Sequence, residues 1–315
     1  MSCEPLIAVV GADGFVGGGF ADGLAARRVV YGPPRAGDTP ISQAEPLLRE
    51  ADVIINAGGF RVRRGLTYAD YQRCHQGSTS RFVPWIKPGA LLVHMSSAHV
   101  LGKSRRWPLG NRSPPNPRTY PSAAYAQAKL EQDEYLEHQG TRRHFRVVFL
   151  RPTILYARPG DTSLPDMLCA WARRGALLRL YPRAARHHLC HRDILVEVAR
   201  RAIAAHDRIP NFTRLVVADP DTITSRDLDA LIERHLPRRA HAVPIPARLA
   251  SALLKRTFHS RNAALDLKTW GDILGVFDLD TQYDSFETFR LLDIDPEQYS
   301  RARTLEPFVQ HALRV

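Results

Sequence analysis

The 315-residue chain has few cysteines and no long apolar run. Every apolar stretch is far shorter than the roughly 20 residues that a membrane-spanning helix needs, and no signal peptide is recognisable at the amino terminus. The four cysteines stand at unrelated spacings without a C-x-x-C pair, which argues against a disulfide framework. We therefore expect a cytoplasmic protein with free thiols and no membrane association.

Sequence repeats, low-complexity tracts and nucleic-acid-binding modules are also missing. The formal net charge is nevertheless +12. The arginines are scattered in pairs over different segments, so a nucleic-acid partner is not expected, and the charge favours an anionic small-molecule substrate. The segment 187–191, H-H-L-C-H, contains typical zinc ligands, but on a strand they alternate between two faces. We predict no metal site.

Strand-length apolar runs alternate with helical stretches through the first two hundred residues. This order predicts an α/β protein with a Rossmann-type doubly wound parallel sheet. We assign residues 1–160, completed by about 188–220, to the dinucleotide-binding domain. Residues 161–187 and 221–315 form a smaller, mainly C-terminal substrate-binding cap in this prediction.

A glycine-rich loop follows the first apolar run. Residues 6–10 read as a buried strand, 11–17 have the sequence G-A-D-G-F-V-G, and 18–26 can form a helix. This order lets backbone N–H groups and a helix N-terminus hold a pyrophosphate. The predicted cofactor-binding residues here are Gly11, Gly14, Phe15, Val16 and Gly17.

The choice between NAD and NADP depends on the end of the second strand. An acidic residue about 20 positions after the glycine loop usually holds the ribose of NAD. The chain has G-P-P-R at 32–35 instead, while Arg27, Arg28 and Arg35 are near enough to meet a phosphate. We therefore favour NADP slightly over NAD, although Asp38 could fold back to the ribose.

Tyr125 and Lys129 are four residues apart in a predicted helix. Positions i and i+4 lie on the same helical face, so the Lys129 charge would stand beside the Tyr125 hydroxyl and favour its phenolate. A phenol with a pKa near 10 needs such help to act as an acid or base at neutral pH.

Two further segments end buried strands with small or polar residues. Residues 52–56 lead to Ala57 and Gly58, where the backbone can approach a cofactor. Residues 90–95 lead to Ser97 and His99. Ligands bind at the carboxyl ends of strands in open parallel sheets, so we expect these residues in one crevice.

Together these motifs resemble the extended short-chain dehydrogenase/reductase superfamily, in particular its NAD(P)-dependent nucleotide-sugar epimerase/dehydratase family. The similarity is clear over about residues 5–200. It rests on the glycine loop, on S-S-A-H-V-L-G at 96–102, on Tyr125 with Lys129, and on R-P-T-I-L-Y at 151–156.

The resemblance implies a role for each matching residue. Ser97 would bind the substrate oxygen, Tyr125 would transfer its proton, and Lys129 would bind the nicotinamide ribose and lower the pKa of Tyr125. Pro152 and Ile154 would lie near the nicotinamide. In the second half of the chain, Arg186 falls near a position that holds the substrate diphosphate. Family members also commonly form homodimers through the tyrosine-bearing helix.

Two departures from the family pattern bear on the reaction. Sugar dehydratases typically have Asp and Glu where this chain has Ala98 and His99, which disfavours dehydration. We expect His99, with an ordinary pKa near 6.5, to contact the substrate or to protonate a carbon. Cys74 replaces a common Asn that orders the active-site loops.

Three functions remain open. The first is hydride exchange on a nucleotide sugar, by an epimerase or a 4-keto reductase. The second is an NADP-dependent reductase or dehydrogenase of a hydrophobic alcohol or ketone, of the hydroxysteroid or dihydroflavonol type, which the lead-in at Pro244 and the leucines at 249, 253 and 254 would allow. The third is a non-catalytic, nucleotide-sensing binding protein.

Overall fold

The computed structural model describes residues 4–60, 66–104, 107–120, 122–161, 163–246 and 282–315. The strands are β1 (Ile7–Val10), β2 (Arg27–Val30), β3 (Asp38–Pro40), β4 (Val53–Asn56), β5 (Leu91–Met95), β6 (Arg146–Pro152), β7 (Ile154–Tyr156), β8 (Ala176–Tyr181), β9 (Arg186–His187), β10 (Leu189–His191), β11 (Phe212–Val217), β12 (Ile223–Thr224) and β13 (His241–Pro246). The helices are α1 (Phe15–Gly23), α2 (Glu45–Glu50), α3 (Tyr68–Phe82), α4 (Ala123–Arg143), α5 (Leu164–Arg173), α6 (Arg192–Ala204), α7 (Ser225–His235), α8 (Phe286–Leu291) and α9 (Leu305–Ala312).

Seven parallel strands form the central sheet, in the order β11-β6-β5-β4-β1-β2-β3. The strand order reverses between β1 and β4, which pair from Ile7 opposite Val53 to Val10 opposite Asn56. Such a reversal opens a crevice at the carboxyl ends of the strands. The predicted Rossmann-type doubly wound sheet is confirmed.

Helices cover both faces of the sheet because successive strand residues point to opposite sides. Val9 and Ile55 belong to the apolar core that contains residues of α1, α6 and α8. Ala8, Val10 and Ile54 belong to the core on the other face, which contains residues of α2, α3 and α4. Strands buried on both faces explain the uninterrupted apolar runs in the sequence.

The β2-to-β3 connection consists of residues 31–37 alone and contains no helix. Parallel strands usually need a crossover of a dozen residues or more. Here the return is short because both strands are short, and two bonds to Asp38 fix it. Its carboxylate accepts from the Arg28 Nε and the Arg35 backbone N–H, both at 3.0 Å.

A separate apolar core contains residues of α5, α7, α9 and β8, which lie in the segments predicted to form the cap. Strands β8 and β13 pair in parallel beside it. The described part of residues 221–315 is divided between the two cores, because Phe289 of α8 packs in the core of the main sheet and Thr288 donates to the Val216 carbonyl at 2.7 Å. The leucines at 249, 253 and 254 lie outside the described residues. Within the described ranges, no helix combines the length and apolarity required to cross a bilayer.

Candidate active site

The glycine loop makes a tight turn between β1 and α1. Gly11 has φ of +84°, which favours glycine, and its N–H donates to the Val29 carbonyl at 2.9 Å. A β-carbon on Gly17 would lie 2.0 Å from the Gly11 carbonyl oxygen. Gly14 is the N-cap of α1, and Phe15 and Val16 begin the helix. The turn therefore directs a helix N-terminus at the crevice, as a pyrophosphate requires.

Two glycines after β4 connect this loop to the predicted catalytic lysine. A β-carbon on Gly11 would lie 2.8 Å from the Gly58 amide nitrogen. A β-carbon on Gly59 would lie 2.7 Å from His75 Nδ1 and 3.6 Å from Lys129 Nζ. Residues 58 and 59 thus extend along one crevice from the glycine loop to Lys129. Glycine at residues 11, 58 and 59 suits a dinucleotide, because no side chain projects from these three residues into the crevice.

Ser97, Tyr125 and Lys129 come together at the carboxyl end of β5. The Ser97 side chain is close enough to the Tyr125 hydroxyl to act on its pKa. Ser97 Oγ also accepts from the His99 backbone N–H at 3.2 Å. Lys129 Nζ donates to the Met95 carbonyl at 2.8 Å, which ties the tyrosine-bearing helix to the strand end.

The pKa of Tyr125 differs from the sequence-based expectation. Burial raises it well above its ordinary value, while the Ser97 side chain acts in the opposite direction. Burial also lowers the pKa of Lys129 to about 8, against the raising effect of Asp133. Tyr125 is therefore a neutral phenol at neutral pH, which is a proton donor, and Lys129 is largely charged.

The His99 side chain is half-buried against two tyrosine rings. Its ring stacks on Tyr120 with centroids 3.9 Å apart and meets the Tyr125 ring edge-on at 5.7 Å. Burial lowers the pKa of His99 to about 3. The ordinary pKa near 6.5 assumed from the sequence does not apply, because the surrounding residues shield the imidazole from water. A neutral imidazole can donate or accept a hydrogen bond but is not charged at physiological pH.

Polar residues on the inward face of α4 were not identified from the sequence. Gln132 Oε1 accepts from Lys129 Nζ at 3.1 Å, and its amide donates to the His75 carbonyl at 2.9 Å and to Thr79 Oγ1 at 2.6 Å. Gln132 therefore fixes the lysine against α3. Tyr125, Lys129 and Gln132 stand at positions i, i+4 and i+7, so helical periodicity could have revealed this polar stripe.

An ion pair is buried below this stripe. Arg151 and Asp133 are 1% and 2% exposed, and their side chains meet at 3.2 Å. Ser96 Oγ donates to the same carboxylate at 2.7 Å. Burial raises the pKa of Asp133, while Arg151 and Ser96 act to lower it. Because both charges are paired, α4 is anchored to the ends of β5 and β6.

The helix segment around Cys74 contributes a buried histidine to the site. Cys74 is half-buried, and a negative charge on its thiol would raise the pKa of both Tyr125 and Lys129. His75 is fully buried, with its ring stacked on Tyr71 at 6.0 Å. Burial, assisted by the Lys129 charge, lowers the pKa of His75 to about 2. A neutral ring thus stands beside the lysine.

The remaining predicted residues lie at different places around the crevice. Ala57 follows β4, and its N–H donates to the Val10 carbonyl at 2.9 Å. Pro152 ends β6 and Ile154 begins β7. Arg35 is exposed in the short β2-to-β3 connection, and Arg186 is exposed on β9. The contact of Arg35 with a cofactor phosphate and that of Arg186 with a substrate diphosphate stay predictions.

The histidines of segment 187–191 have partners within the protein. His187 Nε2 bonds with Ser225 Oγ, and His188 Nε2 bonds with the Asp219 carbonyl, both at 2.8 Å. The His188 Nδ1 accepts from the Tyr283 N–H at 3.0 Å. In the described part of the chain, no group of three His, Cys, Asp or Glu residues is arranged to hold a metal ion.

Solved structures with this fold include nucleotide-sugar enzymes. The UDP-glucuronic acid 4-epimerase from Bacillus cereus, solved with UDP-glucuronic acid and NAD, has a TM-score of 0.74 and 16% identity, with 98% of this chain and 99% of that chain covered. The UDP-N-acetylglucosamine 4-epimerase from the same organism has a TM-score of 0.71 and 12% identity, with 99% of each chain covered. The dTDP-glucose 4,6-dehydratase from Streptomyces venezuelae, with NAD bound, has a TM-score of 0.70 and 16% identity, with 97% of this chain and 96% of that chain covered.

At these identities the structural similarity shows the fold. No curated protein sequence matches the chain. The model of the NAD dependent epimerase/dehydratase family, however, matches residues 7–218, which include the glycine loop and the Tyr125–Lys129 pair. The chain therefore belongs to the NAD dependent epimerase/dehydratase family.

Proposed function

We propose that this protein exchanges hydride at a sugar carbon of a nucleotide sugar, as a 4-epimerase or a 4-keto reductase. The observation that carries the proposal is the junction of Ser97, Tyr125 and Lys129 with the crevice that begins at the glycine loop. The nucleotide-sugar ligand of the B. cereus epimerase gives additional support. The dinucleotide supplies the hydride donor or acceptor when it is bound.

The residues of the chain have separate tasks in this reaction. Tyr125, a neutral phenol, donates its proton to the substrate oxygen as that oxygen gains negative charge, and accepts a proton in the reverse direction. Ser97 holds the same oxygen through its hydroxyl. Lys129 is held by Met95 and Gln132 through two of its three N–H donors, so within the described residues a third remains for a ribose hydroxyl.

Dehydration is not part of the proposal. It needs a further acid and base beside the serine, and the two positions after Ser97 hold Ala98, which is fully buried, and His99, which is neutral. Neither side chain can supply a carboxylate. Epimerisation or ketone reduction needs only the proton of Tyr125 and a hydride.

A substrate panel tests the proposal. The purified protein is incubated with NAD or NADP and with UDP-, dTDP- and GDP-sugars, and the products are separated by chromatography. We expect interconversion or reduction of one sugar class, and a loss of about 10²-fold or more in Tyr125→Phe. Tyr120→Phe, which retains the aromatic ring beside His99, is the matched control and should keep most of the activity.

The same panel distinguishes the other functions. Turnover of a steroid or a dihydroflavonol, with every nucleotide sugar inert, would show the hydrophobic-alcohol reductase instead. Cofactor binding without turnover of any ketone or alcohol would favour the nucleotide-sensing protein. A homodimer through α4 is also proposed, and light scattering should give about twice the monomer mass of 35.4 kDa.

A further inference from the structure

A carboxylate lies at the end of β2, although the sequence places none there. The residue 20 positions after Gly11 is Tyr31, where an acid that holds the ribose of NAD would usually stand. The carboxylate comes from Asp13 in the glycine loop. Its Oδ2 accepts from the Gly32 N–H at 3.0 Å, and its Oδ1 lies 3.4 Å from the Tyr31 N–H.

The contact between Asp13 and the chain after β2 is close. A β-carbon on Gly32 would lie 3.1 Å from Asp13 Oδ2. An ionised carboxylate has about four acceptor positions, and the two backbone donors use one on each oxygen. Each oxygen of Asp13 therefore keeps an acceptor position for a ribose hydroxyl, while its negative charge stays at the strand end.

Two of the three arginines that the sequence offered for a 2′-phosphate do not offset this charge. Arg27 begins β2 and therefore stands at the end of the strand away from the crevice. All three nitrogens of the Arg28 guanidinium are bonded, to Asp38 at 3.0 Å, to Asp22 at 3.0 Å and to the Ala12 carbonyl at 2.8 Å. Arg28 thus stabilises the glycine loop through the Ala12 carbonyl, and two carboxylates neutralise its charge.

We infer that Asp13 is the specificity-determining residue that makes this protein bind NAD more tightly than NADP. Its carboxylate accepts hydrogen bonds from the adenosine ribose of NAD and repels the 2′-phosphate of NADP, since both groups are negatively charged. The inference rests on the dinucleotide-binding part of the proposed function and is independent of the sugar substrate.

Binding measurements with Asp13→Asn test the inference. The amide oxygen can still accept from the Gly32 N–H, so the turn is retained while the charge is removed. Dissociation constants for NAD and NADP are measured by calorimetry at low and high salt. We expect wild type to bind NADP at least about tenfold more weakly than NAD, and Asp13→Asn to reduce that ratio by about tenfold. Higher salt should reduce the wild-type ratio of the NADP and NAD dissociation constants, because salt screens the repulsion between Asp13 and the 2′-phosphate.

A purely structural role of Asp13 would have a different effect. It would weaken the binding of both dinucleotides equally and leave their ratio unchanged, which would overturn the inference. Arg35→Ala is the control for the opposite assignment. If wild type prefers NADP and Arg35→Ala abolishes that preference, Arg35 and not Asp13 reads the cofactor.

These outcomes also separate the inference from the proposed function. A NAD preference that depends on Asp13, combined with no turnover of nucleotide sugars, would refute the proposed reaction and leave the inference standing. Equal binding of the two dinucleotides, combined with turnover of a nucleotide sugar, would refute the inference and leave the proposed reaction standing. A folded protein that binds neither dinucleotide would refute both.

Discussion

The amide nitrogen of Gly58 lies 2.8 Å from the position that a β-carbon on Gly11 would occupy. The first and fourth strands of the chain are thus in backbone contact at the point where the strand order of the sheet reverses. No side chain larger than hydrogen fits between them at residue 11. The two strand ends, 47 residues apart in the sequence, therefore form one wall of the crevice.

Gly11→Ala and Gly160→Ala form a matched pair that tests this contact. Both glycines have φ of +84°, but a β-carbon on Gly160 has no atom within 4 Å among the described residues. We expect Gly160→Ala to lower the free energy of unfolding by about 1 kcal/mol through backbone strain alone. Gly11→Ala should cost about 3 kcal/mol, because overpacking adds to the strain, and should abolish dinucleotide binding. Urea unfolding and calorimetry measure the two effects, and equal losses in both variants would contradict the contact.

The buried pair of Asp133 and Arg151 gives a prediction for stability. Arg151→Met should lower the free energy of unfolding by about 3 kcal/mol, because it leaves a buried carboxylate without its partner. The double variant with Asp133→Leu should recover most of that loss. In the exposed pair of Glu45 and Arg49, whose side chains are 48% and 57% exposed, Arg49→Ala should cost no more than about 0.5 kcal/mol. Urea-unfolding midpoints rank the stabilities of these variants. A double variant that is less stable than Arg151→Met would refute the explanation.

His99 should make the protein less stable in acid. Its pKa is lowered to about 3 in the folded state, so between about pH 6.5 and pH 3 the unfolded chain binds a proton that the folded chain does not. Stability is therefore lost as the pH falls through this range. From pH 7 to pH 5 the free energy of unfolding should fall in wild type. In His99→Phe it should fall by about 2 kcal/mol less.

The control for this prediction is the exposed His138. His138→Gln should follow wild type at both pH values, and a His99→Phe variant that also follows wild type would show that residue 99 is not responsible. Turnover of His99→Ala in the same preparations tests the predicted contact with substrate. Unchanged turnover would remove that role.

Lys129 should limit activity in alkali. Its pKa is lowered to about 8, so its positive charge is lost above that pH. We expect kcat/KM to fall about tenfold per pH unit above pH 8, because the uncharged amine no longer stabilises the tyrosinate or binds the ribose as strongly. In Lys129→Arg, which retains its charge, the alkaline limb should move to higher pH. An alkaline limb that stays in place would assign it to another group.

Local sequence motifs predict several features of the fold and of the candidate site. Gly11, Gly14 and Gly17 gave the turn because its steric demands are local. The i, i+4 spacing of Tyr125 and Lys129 placed both on one helical face for the same reason. The polar residues Gln132 and Asp133 also follow from helical periodicity, but their partners come from α3, β5 and β6, and sequence spacing does not specify those.

The direction of the Tyr125 pKa shift could not be predicted from the local sequence. The neighbouring Lys129 charge was expected to favour the phenolate, yet burial dominates and raises the pKa. Burial is a property of the assembled core and cannot be read from the spacing of two residues. The same holds for His99, whose partner Tyr120 is 21 positions away and covers its ring. The cytoplasmic location and the homodimer stay predictions.

The sequence by itself determined the parallel sheet and the turn of the glycine loop, because periodicity and turn chemistry act over a few residues, and it predicted the tyrosine, serine and lysine of the candidate site. Only the tertiary structure decided which charges are neutralised and which face the crevice. Arg28 was a candidate phosphate ligand until its guanidinium was found bonded to two carboxylates. Asp13 was an unremarked loop residue until the fold brought it to the end of β2, since electrostatic interactions depend on distance in space and not along the chain.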